Sequence, residues 1–213
     1  MGRSAPSIRT TWCTSSSNTR IRPRASTGPP GRSKPTYTKD AGERLDMWHW
    51  KGVRTGPVGQ IDDQWVDNTR YDKDKAPEAG RKSDPKTAGG YADNQTADKK
   101  GPQFALKGNK PAPPYWIVDS EKEAFDDSKY KSGDEVPGII ISPFTGDRGD
   151  LAAKYTYKGG VRTVELSRKL VTGSEFDVQF SDLKKEYAFG VAVFDNAQVR
   201  HAFSTGVFKL KFE

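Results

Sequence analysis

Two adjacent glycines, Gly159 and Gly160, lie inside LAAKYTYKGGVRTVELSRKL, a stretch in which apolar and polar residues alternate on both sides of the pair. Such text folds as a β-hairpin. Glycine takes the positive φ values of a tight turn, and a period of two gives each arm one apolar face. The turn is Lys158-Gly159-Gly160, and the second arm carries Val164, Leu166 and Leu170 on one side. Similar short runs recur at 113–118 (PPYWIV), 136–143 (VPGIIISP), 174–180 (SEFDVQF), 187–196 (YAFGVAVFDN) and 206–213 (GVFKLKFE). In 187–196, Tyr187, Phe189, Val191 and Val193 share a face opposite the small residues Ala188, Gly190 and Ala192; in the last run Phe208, Leu210 and Phe212 alternate with Lys209 and Lys211. No segment sustains an apolar stripe at 3.6 residues. The expected class is all-β, an antiparallel β-sandwich with long irregular loops and a disordered N-terminal arm.

The arm follows from the charges. Residues 1–39 hold Arg3, Arg9, Arg20, Arg22, Arg24, Arg32, Lys34 and Lys39 and no acid, against a net charge of +7 for all 213 residues, so the remainder is close to neutral. A basic arm on a neutral body points to a nucleic-acid or membrane surface far less than a basic body would. The division expected is an arm over 1–40 and a domain over 41–213. Hydrophobic residues are only 33% of the chain, with 21 Gly and 14 Pro, so one continuous core is not expected. Residues 68–112, whose large apolar residues are Tyr71, Tyr91, Phe104 and Leu106, read as a long polar loop. The single cysteine, Cys13, excludes an intrachain disulfide and a cysteine metal cage. No apolar run is long enough for a transmembrane segment, and no secretory signal stands at the start.

Three of five tryptophans and one of two histidines fall in LDMWHWKGVRTGPVGQIDDQWVD, residues 45–67. As a strand, Met47-Trp48-His49-Trp50-Lys51 puts Trp48 and Trp50 on one face, and Met47, His49 and Lys51 on the other. Paired indoles either close a core or cover a flat ligand. A thioether and an imidazole are both ligands of iron. The other histidine, His201, follows the strand at 187–196. Nucleotide-binding, hydrolase and zinc-protease signatures are missing, so no enzyme is expected. Asp62, Asp63, Asp67, Asp72 and Asp74 lack the spacing of a calcium loop and read as a solvated loop. Arg148-Gly149-Asp150 and the sequon at Asn94 are short enough to occur by chance.

The quoted stretch, together with GDRGDLAAKYTY, VELSRKLVTG, FDVQFSD and YAFGVAVFDNAQVRHAFSTG, resembles the ethylbenzene-dehydrogenase-type heme-binding domain over roughly residues 40–213. The resemblance implies a β-sandwich that holds one heme, b or c type, and passes electrons in the periplasm. It also implies a redox partner protein, such as a molybdenum enzyme with an iron–sulfur subunit. His201 matches the family's C-terminal ligand position. Met47 is the second candidate for the metal, and Trp48, His49 and Trp50 are expected to line the cofactor. The c-type members carry C-x-x-C-H upstream; here Cys13 stands in WCTSSSN, which excludes that attachment in the chain as written. The family's upstream strands have no counterpart in the basic segment, which reads as a misread or truncated N-terminus.

Two other classes remain. A non-redox sandwich binding carbohydrate would carry Trp48 and Trp50 exposed on a concave surface. Nucleic-acid binding would act through the arm; no nucleic-acid partner is expected, because the body lacks positive charge.

Overall fold

A computed structural model describes residues 37–194 and 206–212, and the backbone of strands 7–15 and 202–203. The chain is all-β. Its strands are β1 (Ser7–Ser15), β2 (Leu45–His49), β3 (Asp62–Val66), β4 (Arg81–Ser83), β5 (Ala88–Asp93), β6 (Phe104–Ala105), β7 (Trp116–Val118), β8 (Glu123–Ala124), β9 (Ile139–Thr145), β10 (Ala152–Lys158), β11 (Val161–Lys169), β12 (Tyr187–Phe189), β13 (Ala192–Val193), β14 (Ala202–Phe203) and β15 (Phe208–Leu210). Among the described residues the only helical segments are short 3-10 turns, and no helix is long and apolar enough to cross a membrane.

The hairpin forms as its text requires. Lys158 pairs with Val161, and Gly159 (φ 59°) and Gly160 (φ 79°) make a two-residue turn of the type whose twist matches the flanking strands. β11 is central in the sheet β1-β11-β10. Its far neighbour lies in the segment expected to be an arm without structure: Ser7–Ser15 pairs antiparallel with Lys169–Val161. The expectation is revised for those nine residues.

A second antiparallel sheet has the order β2-β3-β4. It is stitched to the first through Gly59–Ile61. Ile61 donates its N–H to Leu151 O at 3.2 Å, Ala153 donates to Gly59 O at 2.7 Å, and Gln60 bridges to Ala152. Ile61, Leu151 and Ala153 form a core cluster that Trp48, Trp50 and Leu166 pack against. The indoles therefore join the inner faces of the two sheets. A second cluster, Leu170 and Phe180, takes the other side of Trp48 together with Tyr187, Leu210 and Phe212.

The third sheet, β5-β9-β7, departs from the expected arrangement in two ways. β7 runs parallel to β9, whereas β5 is antiparallel to it. β5 also lies inside the expected loop 68–112, as do β4 and β6. Its text, AGGYAD, has no β-branched residue. Pairing with IIISPFT imposes the strand, so a partner overrides propensity. The approach is close enough that a Cβ on Gly89 would stand 1.7 Å from Pro143 O.

Two expected strands are also altered. Residues 174–180 form no strand. Side chains hold their backbone: Gln179 Nε2 donates to Ser174 O and Asp177 O at 2.9 and 3.2 Å, and Asp46 Oδ2 accepts the Val178 N–H. The run 187–196 splits at Gly190. β12 pairs with β15, and β13 with β14. The alternation in β15 holds: Leu210 and Phe212 face the core, while Lys209 and Lys211 reach Glu186 at 2.6 and 2.5 Å.

Gly89→Ala and Gly133→Ala separate steric contact from backbone strain. Both glycines have positive φ, but an added Cβ at Gly133 meets nothing within 4 Å. Gly133→Ala should cost about 1 kcal/mol. Gly89→Ala should cost several times more, read from equilibrium urea unfolding. Equal losses would show that the β5–β9 approach is looser than described.

Candidate functional site

The strand β2 separates two environments. Its pairing with β3 sets Trp48 opposite Asp63 and Asp46 opposite Trp65; on the other face Met47 is opposite Gln64 and His49 opposite Asp62. Consecutive acids, Asp62 and Asp63, thus point to opposite faces, and neither exposes any surface.

On the His49 face, Asp62 is the hub. Its Oδ1 accepts from Arg148 Nε at 2.6 Å. Its Oδ2 pairs with Lys51 Nζ and accepts from the Tyr91 hydroxyl at 2.8 Å, while Lys51 also donates to Tyr91 at 2.7 Å. Burial opposes the charge on Asp62, but Arg148, Lys51 and Tyr91 outweigh it and hold the carboxyl below its usual range. Burial likewise lowers the Lys51 ammonium, with Asp62 acting against it. The Tyr91 hydroxyl is pushed up to about 12 by burial and by the Asp62 charge. The pattern is two cations on one wholly buried carboxylate.

His49 stands beside this network. Burial, reinforced by the Lys51 charge, lowers its imidazole to about 4, so the ring is neutral near pH 7. Nδ1 lies 3.4 Å from Gln64 Oε1, and the ring stacks on Phe194 with centroids 6.0 Å apart. A neutral imidazole and the half-buried Met47 thioether on one strand face are a donor set that fits heme iron. The indoles do not share that face. Trp48 and Trp50 turn into the core, each with an unpartnered buried Nε1. One planar group on β2 therefore lies against the Met47–His49 side or against the indoles, not both. His201 is outside the described residues. A cavity of about 310 Å³ lies over β10–β11, lined by Gly59, Ala153, Lys154 and Leu166 among others; neither Met47 nor His49 borders it.

The indole face carries a second charged group. Arg168, from β11, donates to Asp46 Oδ2 at 2.7 Å and to Val178 O, lies 3.8 Å from Asp177, and covers the Trp48 ring at 5.3 Å. Around it stand Asp46, Asp63 and Asp177, with ligand oxygens within 4.8 Å of one another, and Asp84 beside them. Burial, then the charges of Asp46 and Asp84, raises Asp63 to about 10; burial and Asp177 raise Asp84 to about 7.

The expected solvated acids are thus dispersed. Asp62 and Asp63 are buried in a strand, Asp67 pairs with Lys82, and Asp72 accepts the N–H groups of Asp74 and Lys75. Asn94 is structural: its side chain bonds Phe104 at 2.8 and 2.9 Å and Pro137 O at 2.7 Å. Arg148, Tyr91, Asp46, Asp84, Arg168 and Asp177 were not singled out as site residues by sequence. One signal was present: Arg168 interrupts the apolar register Val164, Leu166, Leu170, where a charge demands a buried counter-charge.

A family model described as ethylbenzene dehydrogenase matches residues 3–205, and so takes in most of the basic N-terminal segment as well as β2 through β14. No curated protein and no solved structure matches the chain.

Replacing Asp62 by Asn leaves Lys51 and Arg148 buried beside a neutral amide. The expected loss is about 3–5 kcal/mol in equilibrium unfolding. A loss below ~1 kcal/mol would show that solvent reaches the pair.

Proposed function

The chain belongs to the ethylbenzene dehydrogenase family, and on that premise we propose that it is a heme-binding electron-transfer domain serving a periplasmic redox enzyme. His201 and Met47 hold the iron in this reading, and His49 lies against the macrocycle. When bound, heme supplies a one-electron iron couple. The chain's residues set its environment: burial keeps His49 neutral, and the Lys51–Asp62–Arg148 network fixes charge beside the strand that carries Met47. The partner would be a molybdenum enzyme with an iron–sulfur subunit, to which this chain passes or from which it takes an electron.

One observation carries the reading. Phe194 stacks on His49, and the residue before it, Val193, pairs with Ala202, the residue after His201. The strand Ala202–Phe203, which follows His201 in sequence, and the strand that carries His49 are therefore joined through one ring contact and one ladder pair. A carbohydrate platform is disfavoured by the packing of both indoles against Ile61, Leu151 and Ala153.

The full chain, titrated with hemin and then reduced, should bind one heme with a low-spin spectrum. His201→Ala and Met47→Ala should each shift the Soret band toward a high-spin position and weaken binding by roughly tenfold or more. His49→Ala should keep the low-spin spectrum. An unchanged spectrum in His201→Ala would remove that residue as ligand, and no heme uptake by the full chain would end the proposal.

A further inference from the structure

The acidic group on the indole face of β2 has no part in the reading above. Asp46 comes from β2, Asp63 from β3, Asp84 from the end of β4, and Asp177 from the loop after β11. Among the described residues, the buried side-chain oxygens without a hydrogen-bond partner are Asp46 Oδ1, both oxygens of Asp63, both of Asp84, and Asp177 Oδ1. All of them belong to these four aspartates. Asp63 has no exposed surface and Asp84 exposes 3%, so water does not satisfy them from outside. Among the described residues the one cation in contact is Arg168, whose donors go to Asp46, Val178 O and Lys169 O, with Asp177 3.8 Å away. These four carboxylates, with Asp150 next to Asp63, stand against one guanidinium and leave a large uncompensated negative charge in a buried place, which folded proteins do not retain without a counter-ion or protons.

We propose that Asp46, Asp63, Asp84 and Asp177 bind one calcium ion on the indole face of β2. The donor set is all oxygen, with no nitrogen or sulfur, which selects a hard cation. Oxygens of Asp46, Asp63 and Asp177 lie within 4.8 Å of one another, and with Asp84 beside them the set suits the irregular all-oxygen shell of calcium better than the hydrated octahedron of magnesium. The ion ties the β2-β3-β4 sheet to the loop 171–186. That loop has no strand ladder of its own and is anchored on the same carboxylate, Asp46, through the Val178 N–H at 2.9 Å. Its role is structural: it locks the loop and, through Trp48, the core beneath the strand that carries Met47 and His49.

The test uses the full chain, first stripped with EDTA and then titrated with calcium chloride, and is independent of heme. Calorimetry should show one ion per chain. Thermal unfolding should rise by roughly 5 °C or more at saturation and return on adding EDTA. Asp63→Asn and Asp84→Asn should each weaken calcium binding at least tenfold, and in EDTA Asp63→Asn should unfold no lower than the parent, because a buried amide needs neither a counter-ion nor a proton. Asp72→Asn, at an exposed turn, should bind as the parent does. Two results would overturn the site: no heat and no thermal shift at about 10 mM calcium, meaning that the cluster holds protons instead, or a calcium response in both Asp63→Asn and Asp84→Asn equal to that of the parent.

Discussion

Asp62 and Asp63 are neighbours in β3 and both are wholly buried, yet strand geometry sends their carboxylates to opposite faces of one sheet. The rest of the molecule is arranged around that constraint. On one face the charge is met by Lys51, 11 residues back, and Arg148, 86 residues on. On the other, Arg168 of the neighbouring sheet meets Asp46 and stands over Trp48. A sheet of three short strands would be marginal alone. Here its register is fixed, because a slip of one residue would expose each acid to the wrong partners.

The same constraint divides the candidate site. Met47 and His49 share the face of the Asp62 network, while the indoles face the core. The tryptophans cluster because the two sheets meet there, and their bulk fills the space between β10–β11 and β2–β3. The imidazole stays neutral because its surroundings are dry and the Lys51 ammonium stands next to it. The Met47–His49 face is thus backed by a buried ion network on one side and by packed indoles on the other, the kind of support that the proposed cofactor site requires.

Much of this was legible one strand at a time. The Gly159-Gly160 turn, the alternation of β15 and the division of β2 into two faces all follow from local rules that need no partner. The strands in 68–112 were not legible, because AGGYAD has no propensity to be one and gains its ladder only from β9. Residues 174–180 misled in the opposite direction. Phe176, Val178 and Phe180 alternate as in a strand, but Gln179 donates to Ser174 O and Asp177 O, and Asp46 accepts the Val178 N–H, in place of a partner strand. Arg168 and the pair Asp62-Asp63 carried a readable warning, since charges at apolar register positions imply partners that sequence cannot locate.

By itself the sequence determined the all-β class, the hairpin, the two faces of β2 and the family, because period, turn chemistry and ordered motifs are properties of neighbouring residues. Only the tertiary structure decided which charges meet. Lys51, Tyr91 and Arg148 converge on Asp62, and Asp46, Asp84 and Asp177 on Asp63, across separations of up to 114 residues. The reason is physical. The cost of burying a carboxylate depends on the distance to its counter-charge and on the exclusion of water, and neither exists until the sheets have packed.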